Sequence, residues 1–231
     1  MNSKRVYSST TAILLFARSE GVESTLKPIT FCTKQNVLLW KKMNDMVLKT
    51  IQKTELPYFI SNENNQVGDT FGEKITNSIQ EVFTEGFKKV IVVGNDCVAL
   101  KINYLHDAVQ QLQNNNCVLG PDFNGGAYLI GVTQSAFRAD EFEQIAWKTA
   151  TVFSSLQLLF NSQSIVYLPS LDDCNSASDF KRAIYRLPYS STYRKILLSF
   201  LCTPKVQNKF EPDFIDYQHL SLIYNKGSPF L

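Results

Sequence analysis

Apolar positions along this chain follow two periods. Residues 11–17 form a continuous apolar run of strand length. Residues 35–51 then space Val37, Leu38, Trp40, Met43, Met46, Val47 and Ile51 at helical intervals. Residues 57–60 read as a second, short strand. Residues 72–87 are amphipathic, with Ile75, Ile79, Val82 and Phe83 on one face and Gly86 marking the end. Residues 89–93 are a run of Val and Ile after Lys89, followed by Gly94, as a buried strand of a parallel sheet reads. Leu105, Ala108, Val109 and Leu112 make a helical stripe that Asn114, Asn115 and Asn116 stop. Further strands are predicted at 117–119, 128–132 and 165–168, and further helices at 152–160, 178–185 and 193–201.

Strands alternating with helices predict an α/β protein with an open, mostly parallel sheet covered on both faces. Such sheets bind ligands at the carboxyl ends of their strands. Functional residues are therefore expected just after Phe16, Val93, Leu119 and Leu168. No repeat or low-complexity linker divides the chain. Residues 1–188 are read as one domain, with 189–231 a helix and tail on that same domain. The tail is polar and aromatic. Phe210, Phe214, Tyr217, Leu220, Leu222, Ile223 and Tyr224 supply an apolar surface that suits either self-packing or a homodimer.

Composition narrows the function classes. The 231 residues carry 44% hydrophobic and 19% charged side chains, ordinary for a globular protein. The net charge of +2 is scattered, whereas a nucleic-acid binder shows a basic stripe. No apolar run is long enough to span a membrane, and the run at 12–17 has no cleavage signature after it. Five widely spaced cysteines without a Cys-x-x-Cys pair argue against a disulfide framework or structural zinc, and point to the reducing cytoplasm. His106 and His219 stand alone, without a motif.

Three strand-end stretches carry candidate chemistry. After the strand at 89–93, Gly94-Asn95-Asp96 places a carboxylate at the sheet edge. Asp96 there can hold a divalent ion against a phosphate-bearing ligand, or cap the helix starting near Lys101, or close a turn. Gly120-Pro121-Asp122-Phe123-Asn124-Gly125-Gly126 can let backbone approach a ligand or make a turn before the next strand. Arg18-Ser19-Glu20-Gly21 can cradle phosphates, although one glycine is neither a Walker motif nor a dinucleotide fingerprint.

In order, these stretches resemble a bacterial group of glycosyltransferase-like proteins called selenodomain-associated transferases. Phe16-Ala17-Arg18 and Glu23-Ser24-Thr25-Leu26 stand where that group has its first loop, ending Lys-Thr-Arg-Leu. Gln66 to Lys74 follows its Gln-x-Gly-x-x-Leu-Gly-x-Arg pattern. Gly94-Asn95-Asp96-Cys97-Val98 follows its Gly-Ser-Asp-Cys-Pro. Leu119 to Ala127 follows its Leu-Gly-Pro-x-x-Asp-Gly-Gly-Tyr. Trp147-Lys148-Thr149 follows its Trp-Ser-Thr, and Asp173 to Phe180 its Asp-x-Asp-Thr-x-x-Asp-Leu.

The resemblance spans residues 11–185. It implies a three-layer GT-A-type fold, as in nucleotide-diphospho-sugar transferases, and a nucleotide sugar or nucleoside triphosphate at the carboxyl edge. It implies Asp96 as the catalytic and metal-binding acid, with Asn175 as a second metal position for Mg²⁺ or Mn²⁺. It implies Arg18, Gly21, Lys27, Asp69, Gly94 and Asn95 on the nucleotide, and Asn124, Gly125, Gly126, Trp147 and Thr149 on the substrate. In-line transfer would follow, the ion neutralising leaving-group charge.

Several departures weaken that chemistry. Glu23 and Thr25 replace expected cations, Glu23 repels phosphate, and Asn124 and Asn175 replace expected carboxylates. Lys27 and Arg18 lie close enough in sequence to compensate. Two functions follow: a sugar or nucleotidyl transferase, or a non-catalytic binding or scaffold protein that kept the fold. A dinucleotide-dependent enzyme lacks its three-glycine turn here.

Overall fold

The computed structural model describes residues 9–201. In chain order the elements are β1 Thr11–Phe16, α1 Glu20–Leu26, α2 Thr33–Gln52, β2 Tyr58–Ser61, α3 Phe71–Thr84, β3 Lys89–Val93, α4 Ile102–Gln111, β4 Cys117–Pro121, β5 Ala127–Thr133, α5 Ala139–Glu143, α6 Val152–Leu159, β6 Ile165–Tyr167, α7 Ala177–Arg186 and α8 Thr192–Ser199. Every strand and long helix predicted within 9–201 is present, with ends shifted by a few residues. Two short helices, α1 and α5, were not predicted.

The six strands run in the order β2-β1-β3-β5-β4-β6. β1 pairs in parallel with β2 and β3, and β4 with β6, while β5 is antiparallel to both neighbours. Five strands therefore point one way and β5 the other. The mostly parallel α/β sheet is as expected. Its carboxyl edge collects the segments after β1, β2, β3, β4 and β6, and the entry to β5.

Strand alternation splits the core in two. Ala12, Leu14, Val90, Val92, Leu119 and Ile130 face α3 and α6, whose Ile75, Ile79, Val82 and Leu156 cover them. Ile13, Leu15, Ile91, Val93, Val118 and Leu129 face the other way, under Val47 and Ile51 of α2 and Leu105 and Ala108 of α4. Burying each such side chain contributes roughly 1.5–3 kcal/mol, which is why both faces are covered. A third cluster joins Leu39, Trp40 and Met43 of α2 to Phe180 and Ile184 of α7 and Leu197 of α8. That cluster ties α8 to the preceding helices. The aromatic stretch from Phe210 to Tyr224, His219 and the homodimer surface expected there lie outside the described residues.

Cys97, Cys117 and Cys174 are buried free thiols and Cys32 is an exposed one. Burial pushes the Cys117 thiol up to about 12, which suits an inert packing role. No helix among the described residues is long and apolar enough to cross a membrane.

Candidate functional site

β3 delivers the site's central acid. Its apolar run ends at Gly94, where a Cβ would lie 2.8 Å from Asp96 Oδ1, so glycine lets the carboxylate fold back over the strand end. Asp96 is not a helix cap: α4 begins after Lys101, which makes no side-chain cap bond. Instead Lys27 Nζ donates to Asp96 Oδ2 at 2.7 Å, with the two side chains 21% and 18% exposed. Burial pulls the Lys27 ammonium down, but Asp96 and Glu23 outweigh it and hold its pKa above the ordinary lysine value.

Asn95 is buried rather than ligand-facing. Its Nδ2 donates to Asn44 Oδ1 on α2 at 2.8 Å and to the Arg18 carbonyl at 3.4 Å. It thereby ties the β3 end to α2 and to the first loop. In that loop, Gly21 falls in the first turn of α1, and a Cβ there would meet nothing within 4 Å. Glu23 of α1 is buried, with Arg18 Nη1 3.9 Å away and its Oε2 without a partner. Burial raises the Glu23 pKa; Lys27 and Arg18 only partly offset this, and Asp96 adds to it.

A second acid stands beside Asp96. The Cys174 N–H donates to the Asp96 carbonyl at 3.0 Å, which brings Asp173 alongside. Asp173 is buried, its Oδ1 has no partner, and its carboxyl is hydrogen-bonded to Asp122. Burial, then Asp96 and Asp122, hold its pKa well above the usual carboxylate range. Asn175, the expected second metal position, is exposed, and its N–H turns back to the Asp173 carbonyl at 3.2 Å.

The glycine pair makes a turn. Asp122 Oδ1 accepts from the N–H groups of Asn124 at 2.6 Å and Gly126 at 2.8 Å. Gly125 has φ 86°, and a Cβ there would lie 2.0 Å from the Ala150 carbonyl oxygen. The backbone is thus pressed against the segment before α6, and the N–H of Phe153 in the first turn of α6 donates to the Gly125 carbonyl at 2.9 Å. Asn124 Oδ1 accepts from Arg182 of α7 at 3.3 Å. Buried Asp172 holds α7 in place by accepting from Arg182 at 2.7 Å and Arg186 at 2.9 Å, charge-assisted bonds that satisfy a costly carboxylate.

Trp147 is anchored, not open. Its Nε1 donates to the Phe142 carbonyl at 3.1 Å and its ring lies 5.3 Å from Phe71. Thr149 Oγ1 donates to the Ala146 carbonyl at 2.6 Å. Asp69 lies in the turn before α3, where Glu73 completes a capping box with Thr70 and also accepts from the Asp69 N–H. The contacts at Asp69 are local to that turn. An open depression bordered by Gln80, Thr84, Gln134 and Phe137 lies at the far end of α3 and shares no residue with these groups.

Arg18, Lys27, Asn95 and Asp96 are therefore brought together with Glu23, which the sequence marked as a departure, and with Asp173, to which it gave no site role. Asp173 opens the segment matched to Asp-x-Asp-Thr-x-x-Asp-Leu, and its place after β6 at the carboxyl edge was a further signal. The donor set does not fit a divalent ion. Among the described residues no three His, Cys, Asp or Glu side chains are grouped to hold a metal. Asp96 Oδ2 already receives an ammonium, and Asp173 is buried.

Comparison with known proteins places this geometry. Residues 44–149 match the model of a family described as "Uncharacterized protein conserved in bacteria" (DUF2064). A crystal structure of a "putative nucleotide-diphospho-sugar transferase" from Desulfovibrio desulfuricans G20 superposes with a TM-score of 0.73 at 21% identity, covering 84% of this chain and 94% of that one. Rv0371c from Mycobacterium tuberculosis H37Rv superposes at 0.47 with 8% identity, over 77% of this chain and 98% of that one. Its manganese complex gives 0.46 at 8% identity, over 77% and 99%. No curated protein matches significantly. The family match and the first of these structures bear out the resemblance and the nucleotide-diphospho-sugar transferase fold.

Proposed function

We propose that this protein binds a nucleotide sugar or nucleoside triphosphate at the carboxyl edge of its sheet and transfers a sugar or nucleotidyl group from it. The observation that carries this reading is Asp96, held by Gly94 at the end of β3 and still partly exposed, with the first loop and the Asp122–Gly126 turn on the same edge. In open α/β sheets that edge is where ligands sit. In sugar transfer, an acceptor hydroxyl oxygen would bond to the anomeric carbon. The bond from that carbon to the diphosphate would break, and the nucleoside diphosphate would leave with the electron pair. Asp96 is the candidate to orient the acceptor or to take its proton. Asn124, Gly125 and Gly126 would shape the acceptor side, with Trp147 and Thr149 behind them.

Calorimetric titration with a panel of nucleoside triphosphates and nucleotide sugars tests binding; release of nucleoside diphosphate tests sugar transfer, and release of pyrophosphate from a triphosphate tests nucleotidyl transfer. Binding of one panel member, with turnover abolished by Asp96→Ala, is the expected result. Turnover indifferent to that substitution would remove Asp96 from the mechanism.

A second reading has its own support. Lys27 Nζ already donates to Asp96 Oδ2 at 2.7 Å, which occupies that carboxylate oxygen. A protein that binds the nucleotide without transferring it would show saturable binding and no product, in wild type and Asp96→Ala alike.

A further inference from the structure

Arg18, Lys74 and Lys148 border the same edge, with Glu23 paired to Arg18. Lys148 lies between Trp147 and Thr149 and has φ 64°, a left-handed conformation rarely adopted by a long side chain. That backbone directs its ammonium over the Phe71 ring, 5.4 Å from the centroid. Phe71 in turn packs edge-on against Phe16, at 5.4 Å, and Phe16 ends β1 two residues before Arg18. Lys74 sits one helical turn after Phe71 on α3. Among the described residues no carboxylate pairs with Lys148. Burial and the like charges of Arg18, Lys74 and Lys27 lower its pKa, and Glu23 is the acid that works against this.

We infer that this protein binds the phosphates of its ligand without a divalent metal, Lys27 cancelling the charge of Asp96 while Arg18, Lys74 and Lys148 face the phosphates. The inference rests on the nucleotide reading above for the identity of the ligand, but its chemistry requires only a diphosphate. A metal in such a site does two jobs: it cancels the carboxylate's repulsion of phosphate, and it adds positive charge. Lys27, at 2.7 Å from Asp96, does the first. The second falls to side chains from three separate elements: the β1 loop, α3, and the segment before α6. These supply in new places the cations missing where Glu23 and Thr25 stand. Like charges held together are stabilised by an anion bound between them.

Inorganic pyrophosphate, titrated calorimetrically into the full chain in EDTA, tests this, with the nucleotide-sugar panel run in EDTA and again in Mn²⁺. Saturable pyrophosphate binding in EDTA, not strengthened by Mn²⁺, is expected. Lys148→Ala and Lys74→Ala should each weaken it about tenfold, while Lys53→Ala, an exposed lysine elsewhere, should not. Lys148 and Lys53 are exposed, so both variants should keep the wild-type melting curve. Binding that appears only with Mn²⁺ overturns the inference and leaves the nucleotide reading standing. Pyrophosphate binding in EDTA with no nucleotide bound supports the inference and overturns that reading. No binding under any condition overturns both, and equal losses in Lys148→Ala and Lys53→Ala overturn the inference as non-specific charge.

Discussion

Replacing Lys27 by methionine keeps the length and apolar stem of the side chain and removes its charge. Asp96 then faces a half-closed site with no partner, beside Glu23 and Asp173, two further buried acids. Removing one member of a fully buried pair costs roughly 3–5 kcal/mol. Here the two side chains are 21% and 18% exposed, so water recovers part of that. About 2 kcal/mol is the expected loss once exposure is discounted. For a chain of this size that lowers Tm by roughly 4–8 °C. The pH dependence has a definite sign. Because the folded-state pKa of Lys27 is raised, its contribution is fully present below the unfolded lysine pKa of about 10.4 and fades as pH rises through the folded value. The gap between wild type and Lys27→Met should therefore be the same at pH 7 and pH 9 and close above pH 10. Urea unfolding at those pH values measures it. A cycle with Asp96→Asn should return a coupling of about 1 kcal/mol or more. A Lys27→Met protein as stable as wild type, or zero coupling, would refute the claim that this ion pair organises the site.

Two more outcomes follow from the same edge. Asp173→Asn keeps the shape, can donate to Asp122 and removes a carboxyl whose burial raises its pKa; it should stabilise the protein by roughly 1–2 kcal/mol at pH 7. That gain should shrink as pH falls through the folded pKa and vanish below the unfolded value near ~3.9, as urea midpoints at pH 7 and below 4 would record. Gly125→Ala places a Cβ 2.0 Å from the Ala150 carbonyl oxygen at φ 86° and should cost about 2 kcal/mol or more. An unchanged thermal midpoint in that variant would mean that the turn is not pinned.

β3 could be read from residues 90–93 alone because a strand buried on both faces has no polar position to interrupt it. α3 could be read because its apolar positions fall on one face above a Thr70 cap. α1 was hidden by an inverted pattern: Glu23 and Ser24 are buried while Leu26 is exposed. α5, five residues long, is too short to show a period. In the site, Asp96 was legible by its position after β3. Its partner Lys27 was visible as a nearby charge in the first loop, but the pairing spans 69 residues and depends on β1 and β3 lying side by side. Asp173 was visible as the first acid of the late motif but its burial was not, and Lys148 left no mark, since a lone charged residue in a loop reads as solvated until the fold shows what surrounds it.

The bond between Asn95 and Asn44 has a bearing on which sequences this architecture accepts. The related motif carries serine where this chain has Asn95. A serine hydroxyl is too short to reach Asn44 across the 2.8 Å contact that the longer amide makes. Exchanging Asn95 alone would take from Asn44 this partner at the β3 end, and exchanging Asn44 alone would leave the buried Asn95 amide with only its longer bond to the Arg18 carbonyl. The two positions are therefore coupled through this contact, and a chain carrying serine at 95 is expected to carry a different residue at 44. Grafting this strand end into a relative would succeed only if α2 contributed its asparagine with it.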